Sequence, residues 1–176
     1  MIAMTSKKLL LTVSLMAGIA FPLMAAPDAA STVEVNFIEP DKFSDVKDRY
    51  SSQDEANEYY LRQLKEHLER VAARRLAPGQ RLVVAISNID MAGDFEPWRS
   101  PQMQDVRIVK DIYPPRIDLS FQLLDVTGEV VSEGQRELRD LSFNMRASSV
   151  PTHDPLRHEK ALLDDWVRRE FRTAKK

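Results

Sequence analysis

The order of hydrophobic patterns in the first half of the chain most constrains its fold. Val33, Val35 and Phe37 alternate with polar residues, which is the period-two pattern of a half-buried strand. A helical pattern follows over residues 61–72, and residues 82–89 form a nearly continuous apolar stretch of strand length. A strand, a helix and a strand in this order allow a right-handed crossover, so the two strands are expected to be parallel or near neighbours. The apolar stretch predicts a central strand that is covered on both faces or close to it.

The second half of the chain predicts antiparallel strands and a second helix. The strand patterns cover residues 106–112, 117–123 and 129–138, with a turn at 125–128 between the last two. Residues 156–171 carry apolar side chains at helical spacing. Together these patterns predict an α+β fold with a mixed, mostly antiparallel sheet of four to five strands. Two amphipathic helices pack on one face of this sheet, and the order is β-α-β-β-β-β-α.

Residues 1–26 have the composition of a signal peptide. Lys7 and Lys8 make a short basic region, and an apolar stretch of about 16 residues follows. Ala25 and Ala26 are small residues that signal peptidase accepts, so cleavage is expected between about residues 25 and 31. An uncleaved membrane anchor is the alternative, but the apolar stretch is shorter than the roughly 20 residues that span a bilayer. The sequence therefore predicts an exported protein without a stable membrane anchor after cleavage.

The remaining length suits one domain. We expect a single α+β domain over residues 32–172 and a polar tail over 173–176, because two domains would leave each core marginal. The chain has 25 Lys and Arg against 27 Asp and Glu, a formal net charge of −2 with both signs interspersed. A nucleic-acid binder usually carries a basic patch, so this class of partner is excluded. No pattern in the chain predicts an oligomeric state.

The residue types available restrict the chemistry. The chain has no Cys, which removes disulfides, thiol nucleophiles and thiolate metal sites. Its three His residues are scattered, and the Gly-x-Ser-x-Gly and His-Glu-x-x-His motifs are absent. We therefore expect no metal, no cofactor and no motif-based catalytic residue.

The loop over residues 91–104 is the first candidate site. It is longer than the four to six residues typical of a connection, and long loops often carry function. It combines stacking, charge and hydrogen bonding, a mixture that suits a sugar or peptide ligand. The side chains concerned are Asp94, Phe95, Glu96, Trp98 and Arg99. The alternative is that the two aromatic side chains fold back and plug the open end of the core.

The turn at residues 113–116 is the second candidate site. Pro114 and Pro115 remove two backbone donors and hold the chain extended beside Tyr113 and Arg116. Such a segment can present a rigid contact surface. The alternative is that it only fixes the geometry of the turn into the next strand.

Three segments of the sequence resemble a known family. They read VEVNFIEPDKFSDVKD near the start, IDMAG followed by EPWR in the long loop, and VRIVKDIYPPRIDLSFQLLD across the double-proline turn. The chain is similar to the exported Gram-negative bacterial proteins grouped as domain of unknown function family 3016. The resemblance implies periplasmic residence and a small α+β domain, and it brings no catalytic residues with it.

Three functional hypotheses follow. The first is a non-catalytic periplasmic binding or accessory protein of the cell envelope, whose partner is an envelope protein or a cell-wall component. The second is a cell-wall hydrolase that uses acids of the 90–99 region, namely Asp90, Asp94 and Glu96, since paired carboxylates cleave glycosides. The third is a structural or stress-buffering envelope protein with no defined ligand.

Overall fold

The structure is a computed structural model that describes residues 31–46, 53–100, 102, 104–145 and 150–171, with side chains of the first helix described from residue 58. The predicted signal peptide and polar tail lie outside the described residues. The elements are β1 (Thr32–Phe37), α1 (Gln53–Ala73), β2 (Arg81–Asp90), β3 (Asp94–Phe95), β4 (Arg107–Ile108), β5 (Arg116–Leu124), β6 (Val130–Arg139) and α2 (Arg157–Glu170), with a short 3-10 turn at Pro40–Lys42.

The main sheet has four strands in the order β1-β2-β5-β6. β1 runs parallel to β2, because α1 carries the chain back across the sheet between them. β5 is antiparallel to both of its neighbours, β2 and β6. This confirms the predicted α+β class, the mixed and mostly antiparallel sheet, and the crossover at its start.

Both helices cover the same face of the sheet, and the core lies between. Alternate side chains of β2 and β5 enter this core together with one stripe from each helix. Trp166 of α2 packs edge-to-face on Phe121 of β5 and on Phe171, with ring centroids 5.7 and 5.6 Å apart. Such aromatic pairs add stability beyond the area they bury.

The prediction that β2 is covered on both faces is wrong. Leu82, Val84 and Ile86 are fully buried, but the intervening Val83 and Ala85 are half-buried on the face opposite α1 and α2. β2 is central in the sheet, as expected, with β1 on one side and β5 on the other. Its continuous apolar sequence therefore reflects small, half-buried apolar residues on the face opposite the two described helices.

The predicted third strand over 106–112 is also different in the structure. Only Arg107–Ile108 is extended, and it pairs with Asp94–Phe95 in a separate two-stranded sheet. The long loop contains β3. Because β4 pairs with β3, residues 107–108 do not join the main sheet. Among the described residues, no helix is both long and apolar enough to cross a membrane.

Candidate binding cleft

The two candidate segments meet at one end of the main sheet. β2 ends at Asp90, which pairs with Arg116 at the start of β5. Since these strands are antiparallel, the loop that leaves β2 and the turn that enters β5 must lie side by side. A cleft of about 590 Å³ opens between them. The described residues that line it are Ser44, Asp45, Asp90, Met91, Gly93, Asp94, Phe95, Pro97, Ile112, Tyr113, Pro114, Arg116 and Arg139.

Gly93 allows the loop to reach the opposite segment. Its φ is +82°, a conformation that residues with a side chain rarely adopt. A Cβ atom there would lie 2.9 Å from the Ile108 carbonyl oxygen, and the Gly93 N–H donates to the Tyr113 carbonyl at 3.0 Å. A close backbone approach therefore fixes the base of the cleft.

Arg107 supports the floor of the cleft. Its guanidinium forms a 2.7 Å ion pair with Asp45 and donates to the Gly93 carbonyl at 2.9 Å. It also lies over the Phe95 ring, 4.7 Å from the centroid, in a cation–π arrangement. Asp45 is itself bound to β2, because its backbone N–H donates to the Ile89 carbonyl at 3.1 Å. Neither Arg107 nor Asp45 is among the candidate site residues that the sequence predicts.

Glu96 is not among the described residues that line the cleft. Its side chain is 3% exposed and is surrounded by donors from the neighbouring segment. Lys110 Nζ donates to Oε1, Tyr113 Oη donates to the same oxygen at 3.1 Å, and Arg99 Nε lies 2.9 Å from Oε2. The hydrogen bond from Lys110 is the main reason that the pKa of Glu96 is lowered. Burial and the hydrogen bond to Glu96 raise the pKa of Tyr113.

Trp98 points into solvent. Its side chain is 71% exposed, so the alternative that this ring plugs the core is wrong. Arg99 is about half exposed. Phe95 is half-buried under the guanidinium of Arg107 and lines the cleft. The structure thus separates the two aromatic residues, since Phe95 lines the cleft and Trp98 is exposed outside it.

Both acidic and basic side chains line the cleft, namely Asp45, Asp90, Asp94, Arg116 and Arg139. Burial and the nearby charge of Asp45 raise the pKa of Asp90, which is half-buried. Asp94 is exposed, and its Oδ1 accepts the Phe95 N–H at 2.7 Å. Arg116 forms two hydrogen bonds of 3.0 and 2.9 Å with Asp118. Its charge is therefore balanced within the sheet.

A buried glutamate of α2 lies beneath the start of the loop. Glu159 is 1% exposed, and its Oε1 accepts the Ala92 N–H at 2.7 Å. Burial raises the pKa of this carboxyl group. The neighbouring His158 instead packs against the Phe143 ring at 4.8 Å, so these two acid–base groups point to different partners. In the described ranges no group of side chains is arranged to hold a metal ion.

Four of the seven side chains that the sequence singled out line the cleft together: Asp94, Phe95, Tyr113 and Arg116. Glu96 lies behind the wall, and Trp98 and Arg99 lie outside it. The sequence missed Asp45, Arg107 and Glu159. Their positions depend on contacts between segments that are distant in the chain, and no local pattern marks them.

The fold and the cleft define a small α+β domain with a preformed surface cleft at one end of its sheet. The chain belongs to the family described as "Protein of unknown function (DUF3016)", whose model matches residues 31–169. This confirms the family that the sequence motifs indicated. No curated protein matches the chain. Among solved structures, a PelC L103M dodecamer from Paraburkholderia phytofirmans aligns with 13% identity and a TM-score of 0.37, over 88% of this chain and 93% of that one.

Proposed function

We propose that the protein is a non-catalytic binding or accessory module of the bacterial periplasm, and that it contacts its partner through the cleft and Trp98. The partner is an envelope protein or a cell-wall component. Residues 1–26 support the location, since their composition is that of a signal peptide. The cleft at the end of the sheet supports the binding role, because ligand sites are concave and largely preformed.

The exposure of Trp98 is the observation that carries this proposal. Tryptophan is enriched at binding interfaces because it buries a large area and keeps one hydrogen-bond donor. In a solvent-exposed indole, this apolar area is not buried and remains available to a partner. Here the exposed ring is adjacent in the chain to Pro97, which lines the cleft. One partner can therefore cover the ring and enter the cleft at the same time.

The cleft itself favours a ligand with both apolar and polar groups. Phe95 and Tyr113 offer ring surfaces, while Asp90 and Asp94 offer acceptors. A sugar face or an extended peptide matches such a lining, since each carries apolar surface beside hydrogen-bond donors.

Crosslinking in living cells tests the proposal. A photo-crosslinking amino acid at position 98 of the full chain is expected to capture one discrete partner. Position 126 is the matched control, because Val126 is equally exposed at 71% but lies in the β5–β6 turn at the other end of the sheet. A discrete adduct from position 98 alone supports the proposal. Equal adducts from both positions, or none from position 98, contradict it.

A hydrolase is the second candidate, and the raised pKa of Asp90 in the cleft is the observation that favours it. A general acid needs a carboxyl group that keeps its proton near neutral pH. Glu96 is not among the described residues that line the cleft, and its carboxylate is already paired with Lys110, Tyr113 and Arg99. The test is the cleavage of purified cell wall by the wild-type protein and by an Asp90→Asn variant. Cleavage that the variant loses would establish the hydrolase in place of the binding module.

A further inference from the structure

The cleft has two walls that come from different segments of the chain. Asp94, Phe95 and Pro97 form one wall, and Ile112, Tyr113 and Pro114 form the other. The two segments are joined at the base by the backbone hydrogen bond from Gly93 to Tyr113. A second connection, farther along the loop, is made by the side chain of Glu96.

We propose that Glu96 is a positioning residue that clamps the two walls together and holds Trp98 in its exposed orientation. The functional meaning of this clamp rests on the proposed binding role of the cleft. The clamp itself is a property of the free protein and is tested without a ligand.

The surroundings of Glu96 support a clamp. A buried carboxylate is stable only when cations and hydrogen-bond donors replace its water. Lys110 and Tyr113 supply donors from the opposite wall, and Arg99 supplies a cation from the same loop. If the carboxylate is removed, the Lys110 ammonium and the Tyr113 hydroxyl lose a shared acceptor. The two walls then lose this side-chain connection.

The local backbone explains how this clamp acts on Trp98. The Arg99 N–H donates to the Glu96 carbonyl at 3.1 Å, which closes a four-residue turn with Pro97 and Trp98 at its tip. Proline at the second position of a turn fixes φ in advance. The side chain of Arg99 closes the same turn again, because its Nε lies 2.9 Å from Glu96 Oε2. Trp98 is thus presented by a turn whose first and last residues are both anchored.

A preorganised turn matters for binding because ordering a flexible loop costs affinity. The side chain of Trp98 is largely exposed, so the backbone of the turn sets its position. Glu96 therefore acts on the partner through the turn and through the width of the cleft.

Amide hydrogen exchange on the full chain tests the clamp. In Glu96→Ala the amides of Arg99 and Tyr113 are expected to exchange at least about tenfold faster. Opening of the loop in this variant no longer has to break the contacts of the Glu96 carboxylate, so it costs less free energy. Glu96→Gln keeps an acceptor for Tyr113 and is expected to restore part of the protection. The matched control is Glu129→Gln, an exposed glutamate beside the β5–β6 turn, which should leave both amides unchanged.

The amide of Ile86 in central β2 reports on global stability. If Glu96→Ala leaves Ile86 protected while Arg99 and Tyr113 open, the residue positions the cleft. If all three amides open together, Glu96 is a general stability residue and the proposal is wrong. Unchanged exchange at Arg99 and Tyr113 would also overturn it.

Fluorine NMR adds a signature for Trp98. The chain has two tryptophans, so 5-fluorotryptophan labelling gives one signal from exposed Trp98 and one from buried Trp166. The Trp98 signal is expected to shift and sharpen in Glu96→Ala, while the Trp166 signal stays in place. An unmoved Trp98 signal would contradict the clamp.

The two proposals fail in different ways. Absence of an adduct from wild-type position 98 would remove the binding role and leave the clamp intact. If that adduct forms but Glu96→Ala neither loosens the loop nor lowers the adduct yield several-fold, the clamp is wrong and the binding role stands.

Discussion

The two ends of the main sheet are built by different kinds of contact. At the β5–β6 turn, Asp125 Oδ1 accepts the backbone N–H groups of Thr127 at 2.8 Å and Glu129 at 3.1 Å, so a single residue organises the turn. At the cleft end, Arg107 forms an ion pair with Asp45, and the Ala92 N–H donates a hydrogen bond to Glu159. The first end is organised within five residues, whereas the second depends on segments far apart in the chain. The β5–β6 turn is therefore determined by local sequence, whereas the end with the cleft is determined by tertiary contacts.

A substitution in the core beneath both ends has the largest expected effect. Trp166→Ala removes a buried ring that contacts Phe121 and Phe171, and the cost is expected to be about 3–5 kcal/mol. Urea unfolding measures it. Because one core supports the whole sheet, exchange protection should fall at both ends. Retained protection at one end would show that the two ends are independent units.

Two glycines with similar backbone conformations give a direct comparison. Gly93 at the cleft has φ +82° and Gly128 in the turn has φ +85°. In both cases alanine meets the left-handed strain of about 1–2 kcal/mol. Gly93→Ala also places its Cβ 2.9 Å from the Ile108 carbonyl oxygen, whereas Gly128→Ala meets no atom within 4 Å.

We therefore expect Gly93→Ala to cost about 2–4 kcal/mol and Gly128→Ala about 1–2 kcal/mol in the free energy of unfolding. Urea titration of the two variants measures the difference. Equal costs would mean that the close approach at the base of the cleft is absent in solution.

The buried Glu159 beneath the loop predicts a pH dependence. Burial raises its folded-state pKa above the ordinary value of 4.5, so its contribution to stability is full below that value and is lost as the pH rises through the raised pKa. Glu159→Gln stays neutral at every pH. The free energy of unfolding of the variant relative to wild type is therefore expected to rise as the pH increases above 4.5 and to level off above the raised pKa of Glu159. A difference that does not change with pH would show that Glu159 is not desolvated.

The smallest expected effect on stability belongs to Trp98. Because its ring is exposed, Trp98→Ala should change the free energy of unfolding by less than about 0.5 kcal/mol. Thermal unfolding measures this, with Val126→Ala at the other end as the control. A loss of several kcal/mol would mean that the ring packs against the domain and is not available to a partner.

The same contrast between local and distant contacts explains what the sequence could predict. The alternation at Ile117, Leu119 and Phe121 predicted β5 correctly, because the side-chain period is a local property of a strand. The turn at 125–128 was also predicted, because its residues carry their own hydrogen bonds. The length of the strand at β4 was overestimated, because an apolar pattern does not show which sheet a segment joins.

At the cleft, the sequence identified the correct loop and turn but not the role of each side chain. Glu96 and Trp98 are two residues apart, and residue type alone suggested that both face a ligand. The structure buries the first and exposes the second, because Lys110 and Tyr113 approach from another segment. Burial of a charged residue depends on such distant partners, so local sequence does not indicate it.

The central claim is that the cleft end, and not the rest of the surface, meets a partner. A crosslinking scan in living cells tests it most directly, with the photo-reactive residue at 98 on one side of the cleft, at 112 in the opposite wall, at 126 in the distant turn and at 87 on β2. Ile112 is 69% exposed and Ser87 is also exposed, so every position is accessible. We expect the same discrete adduct from positions 98 and 112 and none from 126 and 87. Adducts from 126 or 87 with none from 98 and 112 would contradict it.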